Sequence, residues 1–395
     1  MDFFDMTKLE TPFSSYQEYT DHLFACVDRQ LASYIDGLMR LFASENGGFK
    51  NVLYPDIEVA RDLCEKHLLD FRTKVDEEDQ EDLPELSDEL ADLFGGLAEE
   101  GQEEQGGDQT PEELLAYIDH RASLTEVPLP LYRLCRKLKF SPFTTFCFAC
   151  AILSSTQTNY ASVFQVVNQN GNQAAPSIES AARVYYCSDF TITGSYSQMS
   201  LALEQLQPIL ELQINHAMPF STLVSPDKRV IDFLFGAHPT RIDENYLRFF
   251  SRLTDERELD PFLANGGVLE ALDISYQDGN RIFALFGDEG SGRKFTIRHF
   301  AQKQGMDCVS INCSKLFVYD FRFVEQALWA AARECILTDA CICMDNLSYR
   351  EEEKDKFFGY MDLAFGKFTQ QNLIVFTVSK EKLPMKQITD LDFAQ

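Results

Sequence analysis

Between Tyr16 and Phe42 the apolar residues Leu23, Phe24, Val27, Leu31, Ile35, Leu38 and Leu41 recur every three or four positions. That spacing predicts one long amphipathic helix, ended by Asn46-Gly47-Gly48. Pro55-Asp56 opens a second helical stretch with Ile57, Ala60, Cys64, Leu68 and Phe71 on one face, and the two make a helical hairpin. The period then disappears from 75 to about 111. It returns at Pro111, which follows Thr110 and precedes Glu112-Glu113 as a helix start does. Residues 112–123 and 129–139 read as helices. Ser141-Pro142 caps an apolar helix through Leu153, and Pro176 opens another to about Tyr186. Short β-rich pieces around Phe190–Ile192 and Leu223–Val224 follow, and Lys228–Phe235 closes the region.

From Arg281 the rhythm changes. Ile282–Phe286, Cys308–Ile311, Ala340–Met344 and Leu373–Val378 are continuous apolar runs, as expected of strands buried on both faces. Helical stretches at Lys294–Gln304, Phe321–Leu337 and Glu351–Phe368 separate them. Alternating β and α units build a parallel sheet with helices on both faces. The chain therefore reads as a multidomain α and α/β protein. Its parts are a helical region at 1–74, a linker at 75–111, a winged-helix-like domain at 112–250 and a parallel-sheet nucleotide-binding module at 251–395. Several short helices followed by a few short strands are what resembles a winged helix.

Composition narrows the classes. Of 395 residues 45% are apolar and 25% charged, which excludes collagenous, coiled-coil and wholly disordered chains. Asp plus Glu is 63 against 35 Lys plus Arg, a net charge of −28. Seventeen of those acids fall between Asp76 and Glu113, a stretch without Lys or Arg, and −11 remains for the rest. Such a segment buries too little apolar area to offset its ordering entropy, so it reads as a disordered linker. The rival reading is an interaction tail in which Leu83, Leu86, Leu90, Leu93 and Phe94 fold on a partner. Nucleic-acid binding needs a concentrated basic face, and Asn159–Asn170, the candidate recognition helix, holds no Lys or Arg. No membrane association is expected either. The most apolar stretch, Phe143–Leu153, is about half the roughly 20 residues a membrane helix needs. Acids at Asp2 and Asp5 argue against a secretory signal, and 11 scattered cysteines fit a reducing cytoplasm.

The sharpest chemistry lies at Gly287-Asp288-Glu289-Gly290-Ser291-Gly292-Arg293-Lys294-Phe295, between a buried strand and a helix. Glycines let backbone N–H groups converge on phosphate, and the following helix N-terminus adds a positive dipole end. The usual pattern is G-x-x-x-x-G-K-[ST]. Gly287 and Gly292 fit it, but Arg293 replaces the lysine and Lys294 the hydroxyl that ligates Mg²⁺. Asp345 ends an apolar run, where a Mg²⁺-organising carboxylate sits, and is the candidate metal ligand. Asn346 stands where a glutamate would orient water; an amide positions water but accepts no proton. Thr377 or Ser379 is placed to present a hydroxyl to a terminal phosphate. The other reading of the loop is a glycine-rich turn that binds nothing. Cys147 and Cys150, on an apolar helix, read as core, as do Cys341 and Cys343, and the six histidines never occur at ligand spacing.

With these residues in place the chain resembles the AAA+ ATP-binding protein encoded with contractile, phage-tail-like injection systems. The resemblance rests on Asn51–Val59, Phe140–Phe143 with Ala151–Leu153, Pro176–Glu179 and Arg229–Gly236. It implies an N-terminal helical part, a winged-helix domain and a C-terminal AAA+ module. It also implies ATP and Mg²⁺ as ligands, protein partners among the injection particle's structural components, and a homo-oligomer. Arginine at the loop-lysine position, here Arg293, is not foreign to such proteins. Lys294, Phe295 and Asn346 depart from the pattern and point to slow hydrolysis. The 115 residues from Arg281 to Gln395 leave no fifth strand or helical lid, so the module reads as incomplete. Two other functions compete: an adaptor with a pseudo-ATPase scaffold, and a winged-helix DNA-binding ATPase.

Overall fold

The computed structural model describes residues 4, 6–44, 60–61, 64, 109–168, 170–210, 217–236, 246, 248–253 and 266–384. Among them the protein is a mixed α/β chain, mostly helical, with 13 α-helices and one five-stranded mixed sheet. It divides into two compact units, Met1–Asp227 and Lys228–Gln395. Residues 75–108 of the acidic segment, the Asn46–Gly48 break and most of the second helical stretch lie outside the described residues, and the segment's last residues, from Thr110, already cap and open a helix. Of that stretch Ala60 and Cys64 are buried, and Arg61 meets Asp36 of the first helix at 2.6 Å.

The first unit contains α1 (Tyr16–Ser44), α2 (Pro111–Ser123), α3 (Pro130–Lys137), α4 (Pro142–Thr156), α5 (Asn159–Val167), α6 (Ile178–Tyr186) and α7 (Ile192–Leu206). Side-chain caps decide where several begin. Thr110 and Glu113 form a reciprocal capping box, and Ser141 accepts from the Thr144 N–H at 3.1 Å. Helix α4 is apolar all round because it is buried all round: Phe143 and Phe146 through Leu153 are at most 2% exposed, with α1, α6 and α7 packed against it. Helix α1 turns Leu23, Phe24, Val27, Leu31 and Ile35 into the same core. The N-terminal helix is thus part of this unit, not of a separate region ending at 74.

A buried polar cluster joins α1 to α2. Arg121 donates to the Thr11 carbonyl and to Glu18 Oε1, each at 2.8 Å, and to His22 Nε2 at 3.2 Å. Its guanidinium lies 4.2 Å from the centroid of the Phe13 ring. His22 Nδ1–H donates to the Glu18 carbonyl at 2.8 Å, which fixes the neutral tautomer. Burial holds its pKa down to about 4.

The β-rich piece expected at Phe190–Ile192 is corrected. Thr191 is extended, at φ −134° and ψ 139°, but as the N-cap of α7, accepting from the Gly194 N–H. A residue that starts a helix from β-region dihedrals carries the composition of a strand without being one. Leu223 makes only an isolated antiparallel bridge to Ser177, and Leu210 another to Pro226.

The second unit begins with α8 (Lys228–Leu234), so this segment belongs with the sheet and not with the helices before it. Then come β1 (Phe250–Arg252), α9 (Gly266–Gln277), β2 (Ile282–Phe286), α10 (Arg293–Lys303), β3 (Asp307–Asn312), α11 (Cys313–Leu316), α12 (Phe321–Thr338), β4 (Ala340–Leu347), α13 (Lys354–Gln370) and β5 (Val375–Ser379). The strand order is β1-β3-β4-β5-β2, parallel except for β1, which runs antiparallel to β3. The short β1 makes the sheet mixed where a purely parallel one was expected. Phe283, Cys308, Cys341, Cys343 and Phe376 face α9 and α10 in one core, with the Phe283 and Phe376 rings stacked at 5.3 Å. Val309, Ile311, Ile342 and Met344 alternate with them and are also buried, α11 and α12 packing against β3 and β4. Glu334 of α12, 1% exposed, anchors α8 and β1: Arg229 grips it at 2.8 and 3.1 Å, and Arg252 at 3.2 Å.

Candidate functional site

In open α/β sheets ligands bind outside the carboxyl ends of the strands, where the chain changes direction across the sheet. Strand β2 lies beside β5, yet the chain leaves it through α10 to β3 on the far side. The loop 287–292 sits at that crossing, over the carboxyl ends of β4 and β5. There a cleft of about 650 Å³ is lined by Glu289, Gly290, Gly292, Arg293, Lys294, Asp345, Asn346 and Ser379 among others.

Backbone needs explain the glycines. Gly290 and Gly292 stand at φ +86° and +83°, a region costly for residues with a Cβ. The Gly287 N–H donates to the carbonyls of Ser379 at 3.3 Å and Lys380 at 3.1 Å, tying the loop to the end of β5. Gly292 is the N-cap of α10 and brings no side chain to cap it. A first helical turn whose N–H groups lack intrahelical acceptors, without a capping side chain, is a ready anion site.

The two residues that depart from the usual pattern reach in different directions. Arg293 donates to the Ser379 carbonyl and so braces the strand end. Lys294 crosses the cleft to Asp345, Nζ to Oδ2 at 2.8 Å, with the lysine side chain 50% exposed and the aspartate 9%. Strand β4 aims that carboxylate through an irregularity. Its pairing with β5 shifts register between Met344 and Leu347, and Asn346 takes φ +56°. Bulges of this kind re-aim side chains at strand ends. Asp345 is therefore buried at the cleft floor while Asn346 is exposed at its rim.

Of the residues expected at the site, Gly290, Gly292, Glu289, Arg293, Lys294, Phe295, Asp345 and Asn346 are brought together, while Gly287 does not line the cleft and is tied to the end of β5. Asp288 and Ser291 are exposed on the loop itself. Thr377 is not brought in: it is 1% exposed and its hydroxyl donates to the Phe283 carbonyl at 3.5 Å, inside the sheet. Ser379 does line the cleft, with its hydroxyl turned to the Glu381 carbonyl at 2.7 Å. Sequence reasoning missed Lys380, Ser314 and Ser348 in the lining, because they follow β5, β3 and β4 and become neighbours only through strand order. Arg293, Lys294 and Lys380 face Glu289 and Asp345, a local charge of +1 on a strongly acidic chain.

Thiol chemistry has no place here. Burial pushes the Cys343 thiol well up, the Asp345 carboxylate adding to it, and burial does the same at Cys313. Mg²⁺ fits poorly. It takes oxygen ligands, but an ammonium already holds Asp345 and no hydroxyl stands at position 294. Among the described residues no group of three His, Cys, Asp or Glu side chains could hold a metal ion. Nor is any described helix long and apolar enough to cross a membrane. In comparison with known proteins, the chain matches no family model, no curated protein and no solved structure.

Proposed function

We propose that the second unit is a nucleotide-binding P-loop module of the AAA+ type, taking ATP in the cleft between the 287–292 loop and the tip of β4. One observation carries the reading. A glycine loop with three positive-φ glycines, Gly287, Gly290 and Gly292, joins a buried parallel strand to an uncapped helix, facing a buried carboxylate two strands away. The phosphates would meet the α10 N-terminus and the Lys294 ammonium, and the nucleoside end would leave toward the open side.

Hydrolysis is slow in this reading. Asn346 cannot accept a proton from water, Thr377 faces away, and Lys294 stands where a hydroxyl is expected. Together these remove much of the transition-state stabilisation that gives typical enzymes about 1–10³ turnovers per second. Phosphate release from ATP tests it at protein concentrations high enough for subunits to associate. Turnover well below about 1 s⁻¹ is expected. Brisk turnover abolished by both Arg293→Ala and Asp345→Ala would refute slow hydrolysis.

At the level of the cell, we propose an ATP-binding protein that assists assembly or remodelling of a contractile injection particle through protein contacts. The winged-helix reading of residues 112–250, and the injection particle itself, rest on helix order and on the sequence resemblance. The ion pair between Lys294 and Asp345 favours a second reading, an adaptor whose sheet binds nucleotide as a structural ligand without turning it over. Bound nucleotide with no turnover would select it.

A further inference from the structure

Resting on the nucleotide reading above, we propose that Lys294 is a built-in counter-cation, so that the cleft binds nucleoside triphosphate without a divalent metal ion. Three features converge on it. The first is position. In P-loop proteins the residue after the loop's cation offers Mg²⁺ a hydroxyl, and a strand-tip carboxylate helps hold the ion. Here both places are filled by an ion pair, Lys294 Nζ to Asp345 Oδ2 at 2.8 Å. The ammonium stands where the metal's charge would stand.

The second feature is the division of labour between the neighbouring cations. Arg293, at the place of the usual phosphate-binding lysine, gives its guanidinium to the Ser379 carbonyl at the end of β5. Its charge braces the strand end, and the cation left facing the cleft floor is Lys294. An ammonium has three donors. The bond to Asp345 uses one, and the half-exposed side chain lies in the cleft lining. A phosphate oxygen can therefore be bonded while the carboxylate holds the head in place.

The third is the donor set. Asp345 is the buried carboxylate of the cleft, and the residue after it is an amide at φ +56°, turned to the rim by the register shift in β4. A divalent ion would have to displace Lys294 from its partner or sit beside a like charge. A lysine is compact, strongly hydrated and mobile on its stem, which suits it to move with the phosphates as they enter. Lys380, also in the lining, adds a further cation at the end of β5.

The test is titration calorimetry of the full chain with ATP, once with excess Mg²⁺ and once with EDTA. The affinities in the two conditions are expected to agree within about threefold. Lys294→Ser restores a hydroxyl and frees Asp345; its EDTA affinity should fall by about tenfold or more, with Mg²⁺ recovering most of it. Lys294→Met should lose affinity in EDTA, and Mg²⁺ should recover less of it than in the serine variant. Circular dichroism checks both variants for the wild-type fold, and the two wild-type titrations decide the point even if a variant misfolds. Wild-type binding seen only with Mg²⁺ would overturn the counter-cation and leave the nucleotide site standing. Binding in neither condition would overturn both, and EDTA affinity unchanged in Lys294→Ser would overturn the role of Lys294.

Discussion

Glu334→Gln removes one negative charge from the middle of the second unit and nothing else of comparable size. The wild-type carboxylate is 1% exposed and bonded on both oxygens, to Arg229 at 2.8 and 3.1 Å and to Arg252 at 3.2 Å. Arg229 is itself only 6% exposed, so the substitution takes from a buried guanidinium the carboxylate it grips on both oxygens. Breaking a buried pair from one side costs about 3–5 kcal/mol, because water does not reach in to replace the lost carboxylate. Glutamine keeps one acceptor oxygen, which places the loss near the lower end, about 3 kcal/mol. For a unit of this size each kcal/mol moves the midpoint by roughly 2–4 °C, so unfolding of the second unit should occur about 6–12 °C lower. Calorimetry of the full chain reads this, with the first unit's transition as an internal reference. The double variant Arg229→Met/Glu334→Leu should recover much of the loss, since replacing both partners of a buried pair by apolar groups is often neutral. A Glu334→Gln midpoint within 1 °C or so of wild type would refute the reasoning, as would a double variant as unstable as the two single losses added.

Acid should weaken the first unit before carboxylates protonate. His22 titrates near its ordinary 6.5 when unfolded but about 4 when folded, chiefly through burial, so stability is full above 6.5 and is lost as pH falls toward 4. The gap corresponds to at most about 3 kcal/mol; urea midpoints across that range should show the fall, and His22→Leu should flatten it. Glu18 adds a loss at lower pH: burial opposes its ionisation, but bonds from Ser14 and Arg121 outweigh that and hold its pKa below the usual range. Thr377→Ala should leave ATP affinity unchanged and cost about 1 kcal/mol of stability or less, because its hydroxyl serves the Phe283 carbonyl; an affinity loss in calorimetry would return it to the site.

The four long parallel strands were legible because a strand buried on both faces leaves an unbroken apolar run, as in Ile282–Phe286 and Ala340–Met344. Strand β1 was not. Phe250-Ser251-Arg252 is three residues long, and only its pairing with Ile311, Ser310 and Val309 makes it a strand. Helix α9 opens on Gly266-Gly267, a pair that reads locally as a breaker and hides the helix behind it. At the site, glycine spacing and the apolar run ending in Asp345 were enough to place the loop and the carboxylate. The bond between Lys294 and Asp345 was not legible, since it spans two crossovers and depends on a register shift. Thr377 was misplaced for a simpler reason. Side chains alternate along β5, so a hydroxyl near the strand end can face the neighbouring backbone as easily as the ligand side.

The central claim is that nucleotide phosphates sit on the 287–292 loop. The most direct measurement is the unfolding midpoint of the second unit with and without ATP, in wild type and in Gly292→Val. Valine at φ +83° is strained and puts a side chain where phosphate must approach the backbone, so each protein is compared with its own nucleotide-free midpoint. At ATP 100-fold above the dissociation constant, binding to the folded state adds about 2.7 kcal/mol, a rise of roughly 5–10 °C for a unit of this size. The account predicts that rise in wild type and its loss in the variant. No rise in wild type at millimolar ATP, or an equal rise in Gly292→Val, would contradict it.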